Sequence, residues 1–425
     1  MLHSNIWREI LGVDKATVIQ SLNFDEEGNC IVFHVRPRRP TKRRCGLCGA
    51  KSPGYDQGEG RRRWRVLDLG TIECYLESDS PRVNCREHGV TVGQVPWARH
   101  GAGHSKAFDD QVAWLVTHTS KSAVVELMRV AWKSVGSIVS RVVNDARKAC
   151  DPFDGLKRIG IDEISYRKGY KYITVVVDHD SGRLVWAGVG RDIKTLEKFF
   201  DLLGKERSSQ VTLVSADAAE WIATVVKERC PNATLCADPF HMVQWATKAL
   251  DEVRRELWRN IKQTGTPSET VRIKGCRYAL LKNPENLTAR QRSSLSQVAK
   301  VNKRLYRAYL LKEQFRMIFQ LRGEEAITAL DDWCSWASRC RIPEFVHLCK
   351  SIKAHRESIV ATLTNGLSNA LIESTNTKLR LITRMAFGFK STDNLIALCL
   401  LDRGGYCPPL PGRKADQSQN MVLAK

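Results

Sequence analysis

The sequence predicts a multidomain α+β protein: a β-rich N-terminal module, a helical hairpin, and an α/β core interrupted by an all-helical insertion. Three observations point there. Two Cys/His pairs, Cys45/Cys48 and Cys85/His88, stand within a strand-rich N-terminal hundred residues. Residues 157–245 alternate short β-branched runs with amphipathic helical stretches. From about 245 to 360 the chain turns continuously helical, rich in Lys and Arg, with Trp258, Trp333 and Trp336. At 425 residues and 43% hydrophobic content there is material for several cores.

Residues 1–100 form the predicted β-rich module. Ala16–Phe24 and Cys30–Val35 are strand-like runs joined by Asp25-Glu26-Glu27-Gly28, and Thr71–Leu76 is another. The spacings Cys45-x2-Cys48 and Cys85-x2-His88 offer the four N/S ligands that tetrahedral zinc takes, with Cys74 as a substitute ligand. The gap between the pairs is longer than in compact fingers. Basic runs flank them, and Arg38, Arg39, Arg43, Arg44, Arg61, Arg62 and Arg63 suit phosphate contacts. The remaining cysteines, of 14 in all, read as reduced thiols serving as small core residues.

Residues 101–150 carry a helical pattern. Ser122–Met128 is a first helix, Arg129–Lys133 a turn, and Ser134 the cap of a second helix bearing Val135, Ile138, Val139 and Val142. As a helix-turn-helix this segment would aim Lys133, Ser137, Ser140 and Arg141 at DNA; the same pattern also describes a plain helical hairpin. Asp151–Gly155 is a linker.

The core begins with three strands, Ile159–Ile164, Tyr172–Val177 and Arg183–Val189, the last two separated by the turn Asp178–Gly182. Helix Leu196–Leu203, strand Val211–Val214, helix Ala219–Lys227 and strand Thr234–Ala237 follow. Residues 246–360 are too long for a loop, so they read as an inserted helical domain. Residues 361–402 return as a helix pair, and 403–425 form a flexible tail.

The formal net charge of +21 calls for an anionic partner, nucleic acid before all others; a merely solvated basic surface is the alternative. No basic-then-apolar leader opens the chain, and the apolar run near Leu395–Leu401 is too short for a bilayer, so a cytoplasmic protein is expected.

Certain acids stand where burial would be costly. Asp162 lies inside the strand Ile159-Gly160-Ile161-Asp162-Glu163, which is costly unless the carboxylate is paired or metal-bound. Asp217 follows an apolar strand, where an Asp also serves as an ordinary helix cap. Asp238 ends the next strand and rivals it. On the helix around Glu373, Leu371, Ile372, Leu379 and Ile382 share one stripe, while Asn369, Glu373, Asn376, Thr377 and Arg380 share the opposite, polar one. Hard carboxylate oxygens of this kind suit Mg²⁺ and phosphodiester chemistry.

In combination, Gly160-Ile-Asp162-Glu163, Ser215-Ala-Asp217, Asp238-Pro-Phe-His241 and Ile372-Glu373-Ser-Thr-Asn376, continuing into Lys378-Leu-Arg380 and Arg384-Met-Ala-Phe-Gly388, resemble a DDE transposase of the bacterial ISL3 family. Parts are shared with hAT and Mutator-type transposases. The resemblance covers about residues 30–400. It implies a zinc finger, a helix-turn-helix and a ribonuclease-H-like core. It further implies a catalytic triad Asp162, Asp217 and Glu373 holding two Mg²⁺ (or Mn²⁺) ions, with Asp238 and His241 as an accessory element. Structural Zn²⁺ would sit on Cys45, Cys48, Cys85 and His88, although the family often has Cys at the fourth position. Arg380, Arg384 and Lys390 join the DNA-contacting set. The expected partners are double-stranded DNA, both element ends and target, and a second copy of the chain on that DNA, in the bacterial cytoplasm beside the nucleoid. Two other readings compete: a structure-selective nuclease of the same fold, and a DNA-binding regulator with an inactive core. A purely RNA-binding role leaves the acids unexplained.

Overall fold

In the computed structural model, which describes residues 4–167, 169–367, 370–385 and 391–413, the chain divides into two units. One comprises Met1–Asp154, Arg183–Val185 and Lys378–Lys425, the other Gly155–Gly182 and Trp186–Thr377.

The first unit opens with a short helix α1 (Ser4–Ile10), which sequence reading did not anticipate. The strands β1 (Thr17–Asp25), β2 (Cys30–Pro37), β3 (Gly54–Asp56), β4 (Arg61–Leu69), β5 (Ile72–Asp79), β6 (Arg82–Cys85) and β7 (Gly89–Val92) follow. They form a sheet of order β1-β2-β5-β4 and a smaller sheet β3-β6-β7. Alternation puts Phe33, Val35, Trp64, Val66, Cys74 and Leu76 on one face, closed by Trp97. Trp64 and Trp97 meet edge to face at 5.5 Å.

Helices α2 (Lys106–His118), α3 (Lys121–Met128) and α4 (Trp132–Ala149) come next. Ser105 and Ser120 cap the first two by accepting from Phe108 N and Ala123 N. Ser134 does not cap α4: the helix already starts at Trp132 with Ala131 in the capping position. The reason is Arg129, whose left-handed φ of 50° ends α3 in a tight turn with Val130 N donating to Val125 O, so the next helix resumes early.

The second unit is built on β8 (Arg158–Arg167), β9 (Lys171–Asp178) and β10 (Leu184–Val189), then α5 (Ile193–Leu203), α6 (Lys205–Gln210), β11 (Leu213–Ala216), α7 (Glu220–Arg229) and β12 (Thr234–Ala237). The sheet order is β10-β9-β8-β11-β12. β8 runs antiparallel to β9, and β11 runs parallel to both β8 and β12.

From β12 the chain enters the long helix α8 (Pro239–Thr264), then α9 (Pro267–Gly275), α10 (Arg277–Leu281), α11 (Ala289–Val301), α12 (Lys303–Ile318), α13 (Gly323–Arg339), α14 (Pro343–Ala354) and α15 (Arg356–Asn365). Their shared core holds Phe315, Trp333 and Phe345, and Trp333 Nε1 donates to Leu311 O at 2.8 Å. Trp333 is therefore a core residue. Thr362 Oγ1 of α15 donates to Ala237 O at 2.7 Å, tying the end of the insertion to β12. Helix α16 (Ala370–Met385) follows, then α17 (Thr392–Arg403), whose Asn394 Nδ2 lies 2.7 Å from where a Cβ on Gly136 of α4 would stand. The tail does not fray directly after Arg403: Tyr406 is buried, and Cys407 Sγ lies 3.6 Å from Thr117 Oγ1. Among the described residues no helix is long and apolar enough to cross a membrane.

Candidate active site and metal cluster

Strand register decides where the acids of the core stand. Ala216 pairs with Ile161 of β8 on one side and with Ala237 of β12 on the other. The next residues are Asp162, Asp217 and Asp238, so three aspartates stand level across three adjacent parallel strands, roughly 4.8 Å apart per strand. This is the carboxyl end of the parallel part of the sheet, where crevices form in α/β folds.

Each aspartate is held differently. Asp162 is half-buried, accepts from Glu163 N at 2.6 Å, and accepts from Asn376 Nδ2 of α16. Burial pushes its carboxyl above the usual range, against the pull of that amide, His241 and Asn376, and the like charge of Asp217 adds to the rise. Asp217 accepts from Ala218 N at 2.7 Å, yet it does not cap α7, whose capping position is Ala219. Asp238 does cap: its Oδ1 accepts from Phe240 N at 2.9 Å at the head of α8. His241 lies between them, with Nδ1 3.5 Å from Asp217 and Nε2 3.7 Å from Asp238. Neighbouring Glu163 is buried against Arg191 at 2.9 Å, and burial raises its carboxyl too.

Helix α16 docks through glycine. A Cβ on Gly160 would lie 2.0 Å from Ile372 Cδ1, so the helix reaches β8 at a point where only hydrogen fits. Behind that contact His179 Nε2 and Ser215 Oγ form a buried pair at 2.7 Å. Ile372, Thr375, Asn376 and Leu379 are buried, whereas Glu373, Thr377 and Arg380 are exposed. Asn376 therefore departs from the polar stripe expected of it: it turns inward to Asp162, and its Oδ1 has no hydrogen-bond partner among the described residues. Glu373 lines a cavity together with Asp238. Among the described residues Asp162, Asp217 and Glu373 do not converge into one cluster of ligand atoms. Nor does any Lys or Arg pair with them there, in a chain holding 67 such residues; the nearest cationic candidate is His241. Two half-buried carboxylates, Asp162 and Asp217, with no guanidinium or ammonium partner among the described residues, are donors a hard divalent cation takes.

The Cys/His pairs do converge. The ligand atoms of Cys45, Cys48, Cys85 and His88 all lie within 4.8 Å of one another. Cys48 Sγ is 3.7 Å from Cys85 Sγ, and His88 Nδ1 is 3.7 Å from Cys85 Sγ and 3.8 Å from Cys45 Sγ. A tetrahedron of ~2.3 Å zinc–sulfur bonds has edges of about 3.8 Å, so these residues fit zinc. The Cys85 thiol is held down at about 6, chiefly by its hydrogen bond with His88. Cys74 takes no part: its thiol faces Ile72 O inside the sheet core.

The basic residues divide. Arg38, Arg39, Arg43, Lys133 and Ser137 are exposed, as are Arg380 and Arg384 on α16; Arg44, also exposed, donates to Gly49 O. Arg61 and Arg63 are engaged by Glu77 at 3.0 and 2.9 Å, and Arg63 also by Asp25, while Arg62 donates to Ala102 O and lies over Trp64. Arg141 does not face outward as expected: it pairs at 3.2 Å with Asp109, which is fully buried. Lys390 and Asn369 fall outside the described residues.

Comparison with known proteins agrees along the chain. The family model of ISL3-type DDE proteins, described as "Transposase", matches residues 159–399. The helix-turn-helix domain of transposase family ISL3 matches 94–143, and the zinc-finger of transposase IS204/IS1001/IS1096/IS1165 matches 41–88. The transposase for insertion sequence element IS1557 of Mycobacterium tuberculosis (strain ATCC 25618 / H37Rv) is 56% identical, over 97% of this chain and 98% of that one. The transposase for insertion sequence element IS1001 of Bordetella parapertussis is 23% identical over 87% of this chain and 90% of its own.

Proposed function

The chain belongs to the ISL3 family of insertion-sequence transposases, and on that premise we propose that it binds the terminal inverted repeats of its element and catalyses metal-dependent cleavage and strand transfer through Asp162, Asp217 and Glu373. The observation that carries this reading is the row of level carboxylates on β8 and β11, lacking Lys or Arg partners among the described residues. The strand order, three strands in series and then two parallel ones beyond the first, supports a ribonuclease-H-like core.

Asp162, Asp217 and Glu373 would hold two Mg²⁺ or Mn²⁺ ions, which when bound supply an activated oxygen nucleophile and stabilise the leaving oxygen. Asn376 orients the Asp162 carboxylate by donating to one of its oxygens. His241 stands between Asp217 and Asp238 with one ring nitrogen toward each and so links the two carboxylates. Arg380 and Arg384 follow Glu373 by seven and eleven residues, which on a helix is the same face, and offer guanidiniums to backbone phosphate. Cys45, Cys48, Cys85 and His88 would bind structural zinc. The exposed Lys133 and Ser137 on α4 would meet DNA. Two ends must be brought together, so at least a dimer forms on DNA, and the protein acts in the bacterial cytoplasm at the nucleoid.

The test is cleavage of a labelled duplex bearing the element's ends, with Mg²⁺ or Mn²⁺. Wild type should nick and then join; Asp162→Asn, Asp217→Asn and Glu373→Gln should each bind DNA and leave it uncut. A regulator with an inactive core is favoured by one observation, the failure of Glu373 to converge with the two aspartates. It predicts binding without cutting by wild type as well.

A further inference from the structure

A cavity of about 580 Å³ opens beside the first turn of α8, lined by residues of that turn, by the end of α12 and by Glu373. We propose that it receives one unpaired nucleotide of the DNA end; this deepens the transposase reading and rests on it. The size lies within the range that holds a small organic ligand. Its chemistry is that of a nucleobase site. Phe240 is 52% exposed although it is a large aromatic ring, and Phe319 stands on the same lining, braced edge to face against Phe315 at 5.4 Å. Aromatic rings of this kind stack on any base.

Gln244, Gln320 and Asn283 add side-chain amides, each of which both donates and accepts, as the edge of an unpaired base requires. Two guanidiniums also line the cavity, but they differ. Arg316 is taken by Glu285 at 3.1 Å and Glu313 at 2.9 Å. Arg322 is exposed and pairs with no acid among the described residues, which leaves it for a phosphate. Stacked, paired bases cannot reach rings inside a cavity, so the occupant is a nucleotide out of its duplex. The lining by Glu373 and the accessory Asp238 places that nucleotide next to one of the three carboxylates proposed to cut.

The experiment measures binding by the full-length protein, without added divalent ion, of a blunt duplex and of the same duplex carrying three unpaired thymidines at one end. Fluorescence anisotropy reads both. Wild type should prefer the frayed end about tenfold, the range expected for stacking one base. Phe240→Ala and Arg322→Ala should bring the ratio close to one and leave blunt-duplex affinity in place; Phe240→Trp should keep the preference. Both positions are exposed, so the fold tolerates these changes. No preference in wild type, or a preference that Phe240→Ala does not move, overturns the proposal. Cleavage is read separately: a lost preference with intact cutting removes the pocket alone, and an intact preference with no cutting removes the proposed chemistry alone.

Discussion

Substituting Gly160 by Ala tests how α16, the helix bearing Glu373, is positioned. The added Cβ would stand 2.0 Å from Ile372 Cδ1, 2.9 Å from Ile372 Cγ1 and 3.0 Å from His179 Nε2. Ordinary contact begins near 3.4 Å, so Ile372 must leave its packed position, by turning to a less favourable rotamer or by carrying α16 outward. Overpacking of this kind costs roughly 1–3 kcal/mol. The kinetic loss should be larger than the stability loss suggests, because Glu373 and Asn376 sit beside and one turn beyond Ile372, and a displacement of about 1 Å can cost 10²-fold in rate. The assay is metal-dependent nicking of an end duplex, alongside urea unfolding. Gly160→Ala should cut about 100-fold more slowly while binding DNA as before. Ile372→Val deletes the offending Cδ1 and alone costs about 0.5–1.5 kcal/mol. Combined with Gly160→Ala it should restore part of the rate, a coupling that a double-mutant cycle measures. Wild-type cutting by Gly160→Ala, or strict additivity in the cycle, would refute the docking argument.

Other outcomes follow from the same geometry. His179, buried beside Ser215, is held down at about 4 by desolvation, below its ordinary 6.5. The unfolded chain therefore binds the extra proton between those values, so this residue's contribution is present above pH 6.5 and lost as pH falls toward 4; wild type should lose on the order of 3 kcal/mol over that window that His179→Gln does not, by urea titration at each pH. Chelation, or Cys45→Ser, should remove one zinc per chain by metal analysis and with it DNA binding, whereas Cys74→Ser should retain the metal. Arg141→Ala removes the hydrogen-bonded partner of buried Asp109 and leaves it Arg99 at 3.7 Å, so it should cost about 1–3 kcal/mol in unfolding free energy. Lys133→Ala should leave stability unchanged and reduce the slope of DNA affinity against salt by about 1.

The core strands were legible because β-branched runs at Ile159–Ile164, Tyr172–Val177 and Thr234–Ala237 are bounded by turn residues, and β8, β9 and β12 sit there. α6, Lys205–Gln210, carries no apolar stripe to read, and it was missed. The Cys/His cluster was legible from spacing, since two-residue gaps are a local property. What sequence could not supply was long-range. The arginines of β4 look like a phosphate-binding run until their acidic partners arrive from β5 and from Asp25, 38 residues away. Arg141 read as surface because its partner Asp109 lies on a different helix. Asn376 read as part of a polar face because helical periodicity separates residues by character, not by which neighbour covers them. A helix packed on a polar crevice buries an amide as readily as a leucine.

The hydrogen bond between Asn376 and Asp162 joins residues 214 positions apart, with the whole insertion in between. During synthesis at about 5–20 residues per second, α16 leaves the ribosome some 10–40 seconds after β8. The crevice thus stays without its third wall until almost the entire chain exists. A nascent chain that stops short of α16 carries the segments matching the zinc-finger and helix-turn-helix models but lacks the helix bearing Glu373.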